Sequence, residues 1–281
     1  MKKMTKTAIG IGIATLMGLA VAQGNVLLEF NANNDTDPND GWDFTGAISG
    51  TLPVNMTAGG AIDRLVDPGA TQHYFQRDGG DRGFGPSLGG SVSFGDYSVE
   101  TWIRRDEIGG SEDFVFQFKN TSFSTTFLIA KAREANPPEE LDYIHQAPAG
   151  ERATSNNIFT WPLDVWQHWV FTYQENTGGD NGVLSVIVDN GTPIVLGGQK
   201  PIYTGAPAIN TAEIFFSGSE WDRGMRGDIA IIRLHDKVLD ANEITASYNE
   251  GYVALGIPEP GSLALLVCGA GMLAAVRRRI L

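Results

Sequence analysis

The sequence predicts an all-β protein built as an antiparallel sandwich, with a targeting signal at each end. Three observations point to this fold class. Short segments of alternating apolar and polar residues recur along the chain, 35 glycines among 281 residues supply turns, and a single late segment has the features of a helix. This combination is typical of packed antiparallel sheets. The body between the signals, about 235 residues, has the length of one large all-β domain.

The predicted strands share period-two alternation or a run of β-branched and aromatic residues. We expect them at 26–30, 61–66, 71–76, 91–94, 97–104, 114–119, 125–131, 166–173, 184–189, 212–217 and 228–235. The glycine-rich stretch 79–90 is expected to be a loop. Residues 132–148 are polar and contain prolines, which indicates an exposed excursion with a short strand near Tyr143.

The clearest pair of strands is a hairpin. Trp169, Phe171 and Tyr173 share one face of the first strand, and the acidic, glycine-rich segment 175–182 leads to the second. The Asp-Asn-Gly sequence at 189–191 predicts a tight turn.

The predicted helix spans 241–249. Asp240 and Glu243 form a capping box at its start, because each side chain can satisfy a backbone N–H near the other. Gly251 supplies the expected stop signal at its end.

The first 22 residues have the three parts of a secretory signal peptide. Lys2, Lys3 and Lys6 form a basic start, residues 8–21 are apolar, and an Ala-Val-Ala cleavage site ends at Ala22. We expect the export machinery to deliver the chain and a peptidase to cut after Ala22. A permanent N-terminal anchor is the alternative, and the cleavage site argues against it.

The C-terminal segment 257–281 is a second targeting element. Its parts are a rigid turn at Pro258, Glu259 and Pro260, an uncharged apolar run at 261–276, and a basic stop at Arg277, Arg278 and Arg279. As a helix the run spans roughly 24 Å, which is short for a bilayer core of about 30 Å. The arginines favour the cytoplasmic side. A short buried helix is the alternative, which the run's all-round apolar character disfavours.

This tripartite tail resembles a PEP-CTERM sorting signal. The resemblance covers about the last 25 residues and implies that an exosortase, a membrane transpeptidase-like enzyme, recognises the tail and cuts it near Pro-Glu-Pro. It divides the chain into a signal peptide at 1–22, a body at 23–256 and a sorting signal at 257–281, with a transmembrane helix at 261–276. The protein would be exported, held transiently in the inner membrane, and then placed at the cell surface or in the extracellular matrix.

Charge and cysteine content limit the partners. Residues 23–260 carry 14 basic against 33 acidic side chains, a net charge of −19. This disfavours nucleic acid and anionic membranes, is compatible with divalent cations, and also suits solubility outside the cell. The single cysteine, Cys268, lies in the tail, so no disulfide can form within the chain.

Residues 33–41 form an oxygen-rich loop that contains Asp35, Asp37 and Asp40. The loop lacks the glycine and glutamate positions of an EF-hand, but its side-chain and carbonyl oxygens can gather a calcium ion. The alternative is a plain turn, which is the commoner structure for clusters of Asx, proline and glycine.

Four segments resemble the LamG-like jelly roll of the concanavalin A-like lectin/glucanase type: 97–103, 166–173, 184–191 and 225–239. In that family W-x-H-x-x-x-x-Y and L-x-x-x-V-D-G form the central hairpin, and G-x-I-D-E-V-R-I-Y-x-x-A-L closes the sheet. The resemblance covers most of residues 26–252. It implies an antiparallel jelly-roll β-sandwich in which His168, at a family position, is structural.

The closing strand departs from the family pattern. Family members often carry an Asp-Glu pair there, and the acid helps to hold a structural calcium. This chain has Ala230 and Ile231 at those positions, and the nearest acid is Asp228. Asp228 is the candidate calcium ligand in their place, and the missing pair argues against the family's calcium site in this chain.

Three classes of function are open. A glycoside hydrolase of the glucanase type needs two carboxylates across the scissile bond, and on this fold they usually lie in an E-x-D-x-x-E strand. The chain has no such triplet. A carbohydrate- or protein-binding module would use aromatic side chains in loops. A purely structural envelope or matrix protein is the third class.

Candidate binding residues are aromatic side chains outside the predicted strands and their charged neighbours: Trp42, Trp161, Tyr203, Glu220, Trp221, Asp222 and Arg223. Trp221 lies among charges, which suits stacking on a sugar ring with hydrogen bonds beside it. The alternative is that these aromatic residues fill the rim of the sandwich. We expect a non-catalytic, surface-sorted protein that binds extracellular polysaccharide or protein.

Overall fold

The computed structural model describes residues 26–56, 61–77, 82–85, 87–93, 95–107, 112–119, 126–133, 140–146, 152–155, 161–174, 182–195, 208–214 and 224–257. The expected signal peptide and the sorting signal beyond Ile257 lie outside these ranges. Across the described ranges, no helix has both the length and the apolar character that a bilayer crossing requires.

Nineteen strands and one helix occur within these ranges. They are β1 Val26–Asn31, β2 Trp42–Gly46, β3 Gly50–Leu52, β4 Val54–Met56, β5 Asp63–Val66, β6 His73–Arg77, β7 Arg82–Phe84, β8 Val92–Ser93, β9 Tyr97–Arg105, β10 Glu112–Lys119, β11 Thr126–Arg133, β12 Glu140–Gln146, β13 Arg152–Ser155, β14 Gln167–Gln174, β15 Val183–Val188, β16 Ile194–Val195, β17 Ala208–Ile209, β18 Thr211–Ile214, β19 Gly227–His235 and α1 Ala241–Ala254.

Two antiparallel sheets contain nearly all of these strands. Sheet A has the order β16-β15-β14-β9-β19-β1-β2-β3, with β6 also paired to β19 and β5 to β6. Sheet B has the order β13-β12-β11-β10-β18-β7-β4, and β8 pairs with β17 separately. Strands far apart in sequence are neighbours in sheet A: β9 lies between β14 and β19. The predicted antiparallel sandwich is confirmed.

The main core lies between the two sheets. Alternation on β9 and β14 directs Val99, Trp169, Phe171 and Tyr173 into it, as the hairpin pattern predicts. Sheet B contributes Phe116, whose ring contacts that of Phe171 edge to face at 6.3 Å between centroids. Each such buried side chain contributes about 1.5–3 kcal/mol, which is how a domain without disulfides is held together.

Helix α1 packs on the outer face of sheet A. The capping box is present: the Asp240 carboxylate accepts from the Glu243 N–H at 2.9 Å, and the Glu243 carboxylate accepts from the Asp240 N–H at 3.0 Å. The expected stop at Gly251 is wrong, because the helix continues to Ala254. A Cβ at Gly251 would lie 2.2 Å from Nε1 of Trp102, so this glycine permits close packing rather than termination.

Strand pairing and backbone angles correct one further expectation, account for strands that were not predicted, and confirm one turn. The predicted excursion at 132–148 contains β12, a full strand paired with both β11 and β13. Short strands such as β2 and β3 were not predicted, because β2 forms through pairing with β1, and β3 through pairing with β2. The turn after β15 is confirmed: Asp189 and Asn190 have φ of 48° and 56°.

Candidate functional site

Polar side chains are concentrated on the outer face of sheet A, beneath α1. The alternation that sends Val99 and Ile103 into the core sends Glu100 and Trp102 to this outer face. The neighbouring strands β14 and β19 add further polar side chains to this face, because residues that lie opposite each other in paired strands point to the same side of the sheet. Arg233 lies directly opposite Glu100 across the β9–β19 pair.

Glu100 is the centre of this layer, and it is 1% exposed. Its carboxylate lies 3.1 Å from Nε2 of His168, 3.4 Å from Nε2 of His235 and 3.3 Å from Nη1 of Arg233, and it accepts a hydrogen bond from the Ser247 hydroxyl of α1. Burial raises the pKa of Glu100, but the guanidinium and the two imidazoles outweigh it and hold the pKa well below its ordinary range. Glu100 is therefore a fixed anion.

Arg233 extends this cluster to β1. Its Nε donates to Glu29 at 3.2 Å, and Nδ2 of Asn31 donates to the other oxygen of Glu29 at 3.0 Å. Burial lowers the pKa of Arg233, but Glu100 and Glu29 raise it by more, so the guanidinium stays charged. The cluster thus ties α1 to four strands, β1, β9, β14 and β19. His168 has the structural role that the family resemblance implies.

A polar cavity of about 170 Å³ opens beside this cluster, and we call it the outer-face cavity. It lies between α1, the end of β1 and the residue before β6. Its polar lining consists of carboxamides, a guanidinium, a hydroxyl, a carboxylate and an indole edge, from Asn31, Asn33, Gln72, Arg233, Ser247, Glu250 and Trp102.

The carboxamides of the outer-face cavity hold one another in place. Nε2 of Gln72 donates to the Asn31 side chain at 2.9 Å, and Nδ2 of Asn33 donates to the Gln72 side chain at 3.1 Å. The Asn33 side chain also accepts from the His73 backbone N–H at 2.8 Å. Hydrogen bonds from the N–H groups of residues 71 and 72 to the carbonyl of Ala254 fix this wall against α1. The wall is therefore organised without a ligand.

Trp102 has an unused donor at this cavity. Its ring contacts those of His168 and Tyr248, at centroid distances of 4.9 and 5.6 Å, and those two rings also contact each other at 5.9 Å. Its Nε1 is buried and has no hydrogen-bond partner. A buried N–H without a partner costs about 1–3 kcal/mol. This N–H packs against Gly251, so a bound hydroxyl or carbonyl oxygen that displaced this packing and accepted from the N–H would recover part of that cost.

A second cluster lies at the end of β9 and includes Asp228. Nε of Arg104 lies 2.6 Å from Asp228 and its Nη1 lies 2.9 Å from Asp67. The same guanidinium lies over the rings of Tyr74 and Trp166, 4.9 and 4.8 Å from their centroids. Burial raises the pKa of Asp228 to about 7, against the opposing effect of Arg104. Asp228 is thus held by Arg104, while burial opposes its charged form.

The structure does not bring the predicted calcium ligands together. The two oxygens of Asp35 accept from the backbone N–H groups of Asp37 and Asp43, at 2.9 and 3.0 Å, so they hold the turn. Asp37 and Asp40 are exposed at its surface. The described residues contain no group of three or more His, Cys, Asp or Glu side chains placed to hold a metal. Residues 33–41 form a turn, and its carboxylates do not meet Asp228.

The predicted binding aromatics have different outcomes. Trp42 is wrong as a ligand contact, because it opens β2 and its ring is fully buried against Phe30 and Phe75 at 5.6 and 4.8 Å. Trp161 is also buried, 4.5 Å from the ring of Trp169. The remaining candidates, Tyr203, Glu220, Trp221, Asp222 and Arg223, lie outside the described residues.

Sequence reasoning missed the residues of the outer-face cavity and its cluster. One signal was present: Glu100 is the single acidic residue of β9 and lies in its middle, between Val99 and Thr101. Gln72 and Arg233 carry no comparable signal, since their roles depend on strand pairing and on the position of α1.

Solved structures of similar fold include sugar-bound proteins. Domain 4 of a GH43 extracellular arabinanase from Geobacillus stearothermophilus, in complex with arabinotriose, has 17% identity and a TM-score of 0.53, covering 79% of this chain and 98% of that chain. Trypanosoma rangeli sialidase in complex with sialic acid has 12% identity and a TM-score of 0.52, and the match covers 82% of this chain and 33% of that chain. The botulinum neurotoxin serotype D ligand binding domain in complex with N-acetylneuraminic acid has 13% identity and a TM-score of 0.53, and the match covers 80% of this chain and 51% of that chain.

These similarities establish the fold, and this chain spans about a third of the length of the sialidase chain. No curated protein sequence matches it. A laminin G-type family model, described as the concanavalin A-like lectin/glucanases superfamily, matches residues 78–245, which is more than half of the chain. The match includes β9, the β14–β15 hairpin and β19, the strands on which the polar cluster is built. The chain therefore belongs to the concanavalin A-like lectin/glucanases superfamily.

Proposed function

We propose that this chain is an exported, non-catalytic domain that binds neutral units of an extracellular polysaccharide. The observation that carries the proposal is the outer-face cavity, with its organised carboxamides and the unpartnered N–H of Trp102. Its volume of about 170 Å³ is similar to that of an engineered, apolar cavity of ~150 Å³ that binds benzene. The superfamily supports the proposal, since similar folds are solved with bound sugars.

The charges at the outer-face cavity favour a neutral ligand. Arg233 already pairs with Glu29 and Glu100, so it has little positive charge to offer an anion. Glu250, exposed on α1, adds a negative charge at the cavity. A sugar hydroxyl can donate to Glu250 and accept from the N–H of Trp102, because it is both a donor and an acceptor.

The buried carboxylates support binding rather than hydrolysis. A retaining glycosidase holds two carboxyl groups about 5–5.5 Å apart, one as acid and one as nucleophile. Among the described residues, Glu100 is fixed as an anion by Arg233 and two imidazoles, and Asp228 is fixed by Arg104. Each carboxylate is committed to holding strands together, so neither serves as an acid or a nucleophile.

We also propose that the segment around Trp221 contributes to binding. Its residues are Glu220, Trp221, Asp222 and Arg223, with Tyr203 as a further aromatic contact. The described chain resumes at Gly224, and Arg226 then pairs with Glu107 at 2.7 Å, beyond the end of β9. A tryptophan among charged groups offers a stacking face with hydrogen bonds beside it, which suits a sugar ring.

The two terminal signals support export and surface sorting. We propose cleavage after Ala22, transient retention by the apolar run 261–276, and cutting near Pro-Glu-Pro by an exosortase. The arginines at 277–279 would hold the tail's end on the cytoplasmic side. The mass of the mature protein from cells tests this: a chain that starts at Gln23 and ends near Pro260 is expected, and an intact tail would contradict it.

Binding is tested with purified residues 23–257 on a glycan array and in affinity gels containing neutral polysaccharides. We expect retention on at least one of them. Trp102→Phe keeps an aromatic ring but removes the N–H, and should weaken binding roughly tenfold, the equivalent of one hydrogen bond of about 1.4 kcal/mol. Val195→Ala, on the exposed β16 edge, is the control and should bind like the parent protein.

The same assays separate the other outcomes. Trp221→Ala reports the contribution of its segment independently of the cavity. Retention on no polysaccharide would refute glycan binding. Release of reducing sugar would instead establish a glycoside hydrolase, and loss of binding in Trp221→Ala without any effect of Trp102→Phe would move the site away from the outer-face cavity.

A further inference from the structure

We propose that the domain presents the C-terminal end of α1 to a lipid bilayer, where exposed apolar side chains contact the membrane surface. The surface concerned, which we call the exit patch, comprises residues 65–70, 163–166 and 253–257. The proposal rests on the membrane retention proposed above, and adds to it which face of the domain meets the lipid.

The folded domain continues up to the residue before the Pro-Glu-Pro sequence. Leu255 is buried, and the Ile257 N–H donates to the carbonyl of Tyr252 at 3.1 Å. The side chain of Ile257 packs against the apolar cluster that includes Tyr74 and Trp166. The chain is therefore fixed to the outer face of sheet A at the point where it leaves the domain.

The spacer between the domain and the apolar run is very short. Pro258, Glu259 and Pro260 alone separate Ile257 from Gly261. Four Cα steps of at most ~3.6 Å each span at most about 14 Å. If 261–276 lies in lipid, the exit patch must lie within that distance of the membrane surface, since no linker is present to let the domain turn away.

The exit patch also concentrates exposed apolar side chains. Eight large hydrophobic residues are exposed in the described chain, and five of them lie in this patch: Leu65, Val66, Leu163, Val165 and Val253. Val66, Val165 and Val253 are 44%, 46% and 73% exposed. The other three lie in the β15–β16 region. A cluster of apolar side chains on a solvent-exposed surface indicates an interaction surface.

Specific contacts bring the three segments of the exit patch together. Nε1 of Trp166 donates to Asp67 at 3.1 Å, which joins the segment of Val165 to that of Val66. A Cβ on Gly256 would lie 3.2–3.3 Å from Ala70, so the end of α1 adjoins the turn after β5. The three segments that carry these apolar side chains therefore meet near the point where the chain leaves the domain.

The chemistry of this surface fits a neutral or zwitterionic interface. Valine and leucine side chains partition into the boundary between headgroups and acyl chains. Of the two acids in the patch, Asp67 is already paired with Arg104 and Asp164 is exposed. The net charge of −19 for residues 23–260 opposes anionic lipids, so apolar contact rather than charge attraction holds this face to the bilayer.

The test uses the chain from residue 23 to 281 in phosphatidylcholine vesicles, with an environment-sensitive fluorophore at one cysteine. In a Cys268→Ala background, Val66→Cys and Val165→Cys place the label in the exit patch. Val195→Cys, 67% exposed on β16, is the matched control. Lipids with a spin label near the headgroup should quench the two patch labels several-fold more than the control label.

The native Cys268 separates the failure of this inference from that of membrane retention. Quenching of a label at Cys268, together with equal and weak quenching at 66, 165 and 195, would show that the tail inserts while the exit patch stays away from lipid. Absence of quenching at Cys268 would overturn the retention on which the proposal rests. A blue shift at 66 and 165 without lipid quenching would assign the patch to a second copy of the chain, and would also overturn it.

Discussion

Replacing Glu100 by glutamine tests the polar cluster that supports the outer-face cavity. Glu100→Gln keeps the shape of the side chain but removes its charge, leaving Arg233 with Glu29 as its hydrogen-bonded carboxylate. It also puts an amide N–H₂ among the donors His168, His235 and Ser247, which contact the carboxylate. The variant therefore loses both an ion pair and acceptor capacity inside the protein.

The expected cost follows from burial. Removing one partner of a buried ion pair costs about 3–5 kcal/mol. Glu29, 3.2 Å from Arg233, keeps part of the charge compensated, so we expect the lower end, about 3 kcal/mol. That is a large part of the 5–15 kcal/mol that stabilises a typical domain.

Urea unfolding at pH 7, followed by tryptophan fluorescence, measures this loss. With a slope of about 2–3 kcal/mol/M, the unfolding midpoint should fall by roughly 1–1.5 M. Glu250→Gln is the matched control, because this carboxylate is exposed on α1. Its free energy of unfolding should change by no more than about 0.5 kcal/mol.

A double-mutant cycle with Arg233→Met checks that the loss comes from the pair. Both single variants leave a buried charge without its partner, so the double variant should be more stable than the sum of the two losses predicts, by about 1–3 kcal/mol. A loss below about 1 kcal/mol in Glu100→Gln, or two losses that simply add, would refute the ionic account of this cluster.

Three further predictions concern stability. Gly251→Ala should lower the free energy of unfolding by about 1–3 kcal/mol, because the new Cβ would lie 2.2 Å from Nε1 of Trp102. Asn249→Ala is the control, because Asn249 is exposed on α1, and it should change the free energy of unfolding little in the same urea titration. The pKa of Glu100 is depressed, so its contribution to the free energy of unfolding is complete above about pH 4.3 and is lost as the pH falls below that value. The difference in the free energy of unfolding between Glu100→Gln and the parent protein should therefore narrow below that pH. A difference that stays constant with pH would contradict this. Asp240→Ala should cost about 0.5–2 kcal/mol through loss of the helix cap, seen as a lower Tm, whereas an unchanged Tm would show that the cap contributes little.

Local sequence patterns predicted the elements whose signals are local. The alternation of Trp169, Phe171 and Tyr173 identified a core face, and the capping box at Asp240 identified the start of α1. Both features depend on residues within a few positions of one another. Such signals hold when packing and local preference agree, as they do here.

The outer-face cavity and its cluster depend on long-range pairing. Glu100 meets His168 and His235, which are 68 and 135 positions away in sequence, because β9 lies between β14 and β19. No local pattern specifies that neighbourhood. Trp42 shows the reverse error: it follows an Asx-rich turn and was expected to be a loop residue, but pairing with β1 and β3 makes it part of the core.

The most direct test of glycan binding at the outer-face cavity is the indole N–H resonance of Trp102 in a ¹⁵N-labelled sample of residues 23–257. Trp102→Phe assigns this signal among the six tryptophans. On addition of the polysaccharide that the affinity gels identify, or of oligosaccharides cut from it, the Trp102 signal should shift as its N–H gains an acceptor, while that of the core residue Trp42 stays in place. An unmoved Trp102 signal at saturating ligand would contradict binding in the outer-face cavity.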